Sequence, residues 1–372
     1  MNGVQKSSPY IRQALKEAPN KVEPPTAGVL RHRGIDTSKI LNMGLNESCF
    51  PPSPKVIEAM QQNLSAVNLY PDAQCPRLSD IISERTGIDH DCIVWGNGSE
   101  ELLKGAIDLC LSPGQGLVLP APTFWGYKSM VAAFEADVSE VENLPDGHTD
   151  IDGILANIHG NTKIVFLITP NNPTGRMVDQ NGLEKLINDV PEDVLLCVDE
   201  AYFEFGIHAG GPNILNGLKT RKGPWITIFT FSKAYAMAGM RIGYALCSDS
   251  ELAQALQKTT CVFNVPILAQ YAGEAALLDT EYLNFILTEN AAGRDQLYQG
   301  LLELDLEPYP SVTNFVSTPV AVNGRDVMAA MLDQGVQINA WADPGYEKTI
   351  RITVGTEEAN TTCLAALRAV LA

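Results

Sequence analysis

Metal-ligand spacing is missing from this chain. Its five histidines form no H-x-H or H-E-x-x-H pair, and its eight cysteines form no C-x-x-C pair, so no metal site is expected. Basic residues are scarce: 26 Lys and Arg stand against 44 Asp and Glu, a formal charge of −18. Such a surface repels phosphate backbones and anionic lipid, which argues against nucleic-acid and membrane binding. An anionic ligand remains compatible with it wherever a few cations gather in one pocket. No stretch approaches the ~18 apolar residues of a membrane helix. Met1-Asn2-Gly3-Val4-Gln5-Lys6 has no apolar core and no small-residue cleavage site, so a cytoplasmic protein is expected. Hydrophobic residues at 45% and charged residues at 19% are those of an ordinary globular protein. Cys92, Cys197 and Cys247 fall in or beside apolar runs and read as reduced core thiols.

The length of 372 residues suggests about two domains. Residues 1–45 are polar, carry Pro19, Pro24 and Pro25, and read as an extended arm or linker with room for one short helix. Ser53 followed by Pro54 starts a helix, an N-cap with proline at the first helical position. Short apolar runs then recur at Cys92–Trp95, Gly116–Leu119, Lys163–Ile168, Val194–Val198, Ile226–Thr230 and Ile242–Cys247. Helix-period segments separate most of them, such as Glu100–Cys110, Gly182–Asp189 and Glu251–Thr260. Apolar strands alternating with helices indicate an α/β domain over 46–265, its central sheet mostly parallel and flanked by helices. From 266 to 372 the texture changes. Two long helical stretches, Val265–Leu278 and Glu281–Leu304, lead into short strands at Asn314–Ser317, Gln337–Ala340 and Thr349–Val354. A last helix runs from Glu358 to Leu371, which reads as a smaller α+β domain.

Ligands of parallel sheets gather at the carboxyl ends of the strands, and the chemistry-bearing residues fall there. Lys233, in Thr230-Phe231-Ser232-Lys233-Ala234, follows one apolar run; Asp199 follows another; Asn172, in Asn171-Asn172-Pro173-Thr174-Gly175, follows a third. An isolated lysine is usually a solvated charge, a strand-end aspartate usually a cap, and Asn-Pro a turn. Together they describe the needs of pyridoxal 5′-phosphate (PLP). Lys233 would bond its aldehyde through the side-chain nitrogen and then move the substrate Cα proton as general base. Asp199 would keep the pyridine nitrogen protonated. Tyr202 and the Asn172 amide would donate to the phenolic oxygen. Gly96-Asn97-Gly98-Ser99-Glu100-Glu101 follows a strand and opens a helix, so the N–H groups of Ser99 and Glu100 can bind a phosphate. Arg241 offers it a forked contact, and the Thr230 and Ser232 hydroxyls add hydrogen bonds. Phe124 could stack on the pyridine face or be plain core. Arg351 is a charge inside an apolar strand and must find an anion: a structural carboxylate, or the preferred reading, a substrate carboxylate.

With these motifs in this order, from about Asn46 to the C-terminus, the chain resembles the fold-type-I PLP enzymes, in particular class I/II aminotransferases of the histidinol-phosphate aminotransferase type. Asn46-Glu47, Tyr70-Pro71, Thr313-Asn314-Phe315 and Arg351-Ile352-Thr353-Val354-Gly355-Thr356 belong to the same pattern. The resemblance implies transfer of an amino group from an amino donor to a 2-oxo acid by a ping-pong cycle. It implies a homodimer whose Tyr70 reaches the second subunit's PLP phosphate, Phe124 as the stacking ring, and Arg351 as the substrate-anion contact. Two departures matter. Enzymes specific for histidinol phosphate carry an arginine where this chain has Asn339, and an N-terminal tyrosine where it has none between Tyr10 and Tyr70. Charge-assisted contacts are worth roughly 1.5–3 kcal/mol each, so both losses weaken phosphate recognition unless Arg31, His32 or Arg33 compensates. The expectation is therefore an unphosphorylated α-amino acid, contacted by Arg351, Asn339 and Asn172, with Trp125, Trp341 and Tyr346 lining its side-chain pocket. Histidinol phosphate itself, and decarboxylation or another lyase reaction, are the alternatives. A nucleotide-binding dehydrogenase would explain Gly96-x-Gly98, but Glu101 replaces the third glycine, and Lys233, Arg241 and Asn172 would be idle. A binding-only protein of this fold would be expected to lack Lys233.

Overall fold

In the computed structural model, residues 10–17 and 25–372 are described. The expectations that fall on residues 1–9 and on Pro19 and Pro24 lie outside them. Among the described residues twelve strands follow one another. They are β1 (Leu41–Asn42), β2 (Ile93–Gly96), β3 (Gly116–Ala121), β4 (Asp137–Glu142), β5 (Thr162–Ile168) and β6 (Leu195–Asp199). Then come β7 (Trp225–Thr230), β8 (Gly243–Cys247), β9 (Phe315–Pro319), β10 (Val336–Gln337), β11 (Asn339–Ala340) and β12 (Thr349–Thr353). Strands β2 to β8 form one sheet in the order β2-β8-β7-β6-β5-β3-β4. β8 runs opposite to the other six strands, which are parallel to one another.

Both faces of this sheet are covered, and the strand sequences show why. Along β5 and β6, Val165, Leu167, Leu196 and Val198 enter one apolar cluster, while Ile164, Phe166, Leu195 and Cys197 enter the cluster on the other face. The pleat sends successive side chains to opposite faces, so a strand apolar at every position needs helices on both sides. Strand β4 has no apolar run. It is the edge strand, pairs only with β3, and leaves Asp137, Val138, Glu140 and Glu142 exposed.

The remaining strands make a second body. β11, β12 and β9 form an antiparallel sheet, and β1 pairs in parallel with β10. Their core holds Met43, Leu297, Leu301, Val316, Ile338, Ile350, Ile352 and Leu367. The N-terminal segment therefore contributes a strand and Met43 to the smaller body. It also forms two short helices, Gln13–Glu17 and Ala27–His32, where the sequence suggests an arm or linker with room for one. Helix Ile267–Leu278 packs Ala269, Ala272, Ala276 and Leu277 into the cluster of the large sheet. By packing it belongs with that sheet, although its sequence reads as the start of the smaller domain. A bridging cluster of Tyr202, Phe205 and Ala234 with Leu287 and Phe315 joins the two bodies beside the strand ends. No helix among the described residues is long and apolar enough to cross a membrane.

Candidate active site

Parallel strands end on the same side, so the loops after β2, β5, β6 and β7 meet at one edge of the large sheet. Asp199 closes β6 and is 4% exposed. Its Oδ2 accepts a hydrogen bond from the Tyr127 hydroxyl at 3.0 Å, and its Oδ1 accepts one from the Ala201 N–H at 3.1 Å. Burial pushes its carboxyl up to about 6, partly offset by those two donors.

Lys233 lies in the loop after β7. Its Nζ donates to the carbonyls of Asn46 at 3.1 Å and Leu45 at 3.5 Å. Burial pulls its amine down to about 8; the positive charges of Arg351 and Arg241 add to this, and Glu47 opposes it. That shift raises the unprotonated fraction of this amine near neutral pH, as a nucleophile or base requires.

Asn46 ties the two bodies together. It sits at φ 53°, in the left-handed region that asparagine tolerates, and is 2% exposed. Its N–H donates to Thr353 Oγ1 at 2.9 Å and its Nδ2 to the Tyr202 hydroxyl at 2.8 Å. Its carbonyl accepts from Asn314 Nδ2 at 3.0 Å as well as from Lys233. Burial raises the Tyr202 hydroxyl to about 12, against the pull of Arg351 and Asn46. The phenol stays protonated and able to donate.

Arg351 comes from β12 and is 5% exposed. Its Nη1 donates to Asn172 Oδ1 at 2.7 Å and its Nη2 to the Gly44 carbonyl at 2.8 Å. Among the described residues no carboxylate lies within ion-pair distance of it. Burial lowers the guanidinium to about 10. Asn339 stands opposite Arg351 in the β11–β12 register.

At the far end, helix Ser99–Cys110 begins after Gly98, whose φ is +76°. A Cβ at Gly98 would stand 2.5 Å from Arg241 Nη2, so the guanidinium lies directly against this helix start. Among the described residues Arg241 has no carboxylate partner; its Nη1 donates to the Ala238 carbonyl at 3.2 Å. Thr230 Oγ1 donates to Ser232 Oγ at 2.9 Å, and both hydroxyls are buried. Ser99 and Glu100 occupy the first turn, where backbone N–H groups have no intrahelical acceptor. A free guanidinium, two buried hydroxyls and a helix N-terminus make a cradle for a doubly charged phosphate.

These residues fit PLP: a cradle for the phosphate, a buried carboxylate for the ring nitrogen, and a partly buried amine with lowered basicity for the aldehyde. Phe124 lies beside them, half-buried, its ring 6.4 Å from that of Tyr127. Tyr70 is not brought to the cradle. It is 82% exposed and stacks on Phe263 at 4.7 Å. Arg31, His32 and Arg33 are exposed. Two members of the site escape sequence reasoning. Tyr127 looks like any core aromatic, and Asn46 is recognisable as a motif residue but not as the hub between two bodies.

A family model described as "Aminotransferase class I and II" matches residues 38–367. A histidinol-phosphate aminotransferase of Halalkalibacterium halodurans is 35% identical over 97% of this chain and 96% of its own. Histidinol-phosphate aminotransferase 2 of Pseudomonas aeruginosa is 36% identical over 100% of this chain and 97% of its own. Among solved structures, histidinol-phosphate aminotransferase of Sinorhizobium meliloti in complex with PLP superposes with a TM-score of 0.90. It is 27% identical and covers 98% of both chains.

Proposed function

The chain belongs to the class I and II aminotransferases, and from that premise we propose that its amino donor is histidinol phosphate or a phosphorylated amine of the same kind. It is a PLP-dependent aminotransferase of fold type I. Bound PLP supplies an aldehyde that accepts the amino group and a ring that withdraws the electron pair left when Cα loses its proton. The chain's own groups do the rest. With PLP bound, the unprotonated Lys233 nitrogen would hold the aldehyde and, once displaced by the donor amine, would move the proton to and from Cα. Asp199, oriented by Tyr127, would accept the hydrogen of the ring N–H. Tyr202 and the Asn172 amide would donate to the phenolic oxygen. Ser99, Glu100, Thr230, Ser232 and Arg241 would hold the phosphate, and Phe124 would cover the ring. A 2-oxo acid then takes the amino group at the same site. Tyr70, exposed on one subunit, serves the phosphate of a second copy in a homodimer.

The observation that carries the substrate reading is Arg351. It is a buried guanidinium bonded only to neutral acceptors, so its charge is available to an anion on the donor. The curated relatives' names support a phosphate as that anion. One observation favours a second reading, an unphosphorylated α-amino acid: Asn339, facing Arg351 in the strand register, brings no second charge. The test is an absorbance titration of the PLP-loaded protein with histidinol phosphate and with aromatic α-amino acids. Faster conversion by histidinol phosphate, reversed by 2-oxoglutarate, supports the first reading. Preference for an amino acid establishes the second, and carbon dioxide release without amino transfer would sink both.

A further inference from the structure

Arg351 is held by aromatic rings in place of a carboxylate. Its Cζ lies 5.4 Å from the ring centre of Phe315 and 5.9 Å from that of Trp341. Ring faces attract a cation without neutralising it, so the stack fixes the guanidinium and leaves its charge unspent. Two N–H groups of this stack, Arg351 Nε and Trp341 Nε1, have no acceptor among the described residues, and both are closed to water. A buried donor without an acceptor destabilises the fold, so such a pair makes physical sense where an incoming acceptor completes it.

We propose that Trp341 is the second anion-reading residue of this site. Its indole N–H acts beside Arg351 on the carboxylate or phosphate of the amino donor. This rests on the reading of Arg351 as the donor-anion contact. Trp341 is 4% exposed and follows β11 two residues after Asn339, so it continues the face that meets β12. Its backbone N–H donates to the Thr349 carbonyl at 3.2 Å, which fixes it beside Arg351's own strand. Where Asn339 supplies no charge, a neutral donor two positions on takes over part of the recognition. The chain beyond it, 342–348, is held to the large body by the ion pair of Asp343 with Lys128 at 2.7 Å. Access of the donor to the two closed N–H groups would require this segment to move.

The test uses the PLP-loaded enzyme and three donors: histidinol phosphate, an aromatic α-amino acid, and histidinol, which carries no anionic group. The reading is the KM of each anionic donor divided by that of histidinol. Trp341→Phe keeps a ring on the guanidinium and removes the N–H. The ratio should rise about tenfold for the anion that Trp341 reads, equivalent to ~1.4 kcal/mol. The donor that responds identifies phosphate or carboxylate. Trp341→His, which returns a ring N–H, should recover part of the change. An unchanged ratio for both anions overturns the proposal, as does an equal rise in KM for all three donors. Arg351→Gln separates the two ideas. If it raises the ratio while Trp341→Phe does not, Trp341 alone is misassigned. If neither does, the anion reading of Arg351 fails with it.

Discussion

Asp199→Asn should make the cofactor-free protein more stable and the holoenzyme far less active, and both effects have one cause. Burial lifts the Asp199 carboxyl from 3.8 to about 6, because its two donors do not replace the water it loses. The folded state therefore binds this proton more tightly than the unfolded chain does. The stabilising contribution is complete below the unfolded value and is lost as pH rises through the folded one. Above about pH 6 the native state holds a buried carboxylate at a cost near two pKa units, about 3 kcal/mol. Asparagine is nearly isosteric, keeps an oxygen for the Ala201 N–H, and carries no charge. At about pH 7.5 its cofactor-free form should melt several degrees above wild type, a gain that fades by about pH 4. Scanning fluorimetry at both pH values reads this difference, to which relief of Glu200, whose carboxyl the Asp199 charge helps to raise, adds with the same sign. Loading with PLP should reverse the order, since a protonated ring nitrogen relieves the wild-type charge and not the amide. Turnover should drop about 100-fold or more, as when a preorganised charge is removed from a reaction centre. Equal melting at the higher pH, or a gain of the same size at both, would refute the reasoning.

Lys233→Ala should abolish turnover while still binding PLP without a covalent bond, seen as cofactor lost on gel filtration after borohydride treatment. In the wild type, the rate of covalent loading should climb with pH through a midpoint at about 8 and level off above it, because burial favours the neutral amine. Gly98→Ala places a Cβ against Arg241 at a φ of +76°, so the PLP dissociation constant should rise roughly tenfold or more, measured by cofactor fluorescence. Arg221→Met should cost about 3–5 kcal/mol in urea unfolding, with kcat of the folded fraction unchanged. Arg221 donates to the carbonyls of Ile187, Val190, Pro191 and Val194, which methionine leaves without a donor.

How much of this was legible in the sequence depended on the range of the interaction. Strands β5, β6 and β7 are apolar at almost every position and announce themselves, and the residues just after them fall at the site by topology alone. Strand β4 does not, because an edge strand exposes Asp137, Glu140 and Glu142 and shows no apolar run. Helix Ile267–Leu278 is apolar on most sides, so composition cannot say which core takes it. Its Gly273 decides: a Cβ there would be 3.2 Å from both Leu78 and Ile242, a closeness that only the large sheet's core provides. Asn46 bonds Thr353, 307 residues away, and no local pattern encodes that pair. Tyr127 becomes functional only through its bond to Asp199, again a contact between distant segments.

Lys233, Asp199 and Arg351 share one property that explains why the fold tolerates them. Asp199 and Arg351 are buried and Lys233 is partly buried, each is displaced by burial toward its neutral form, and none is paired with an opposite charge among the described residues. A core designed for stability alone would replace all three with apolar groups of similar size. Here each lacks the partner that one ligand or the other brings: an aldehyde, a protonated ring nitrogen and a donor anion. The charges that destabilise the empty site are the ones whose cost binding removes, so affinity for cofactor and donor is drawn from strain already present in the protein. It follows that neutralising Asp199, for which asparagine still meets the Ala201 N–H, should stabilise the empty protein and weaken the loaded one. Opposite signs in the two states distinguish a functional buried charge from a structural one such as Arg221, whose loss should destabilise both.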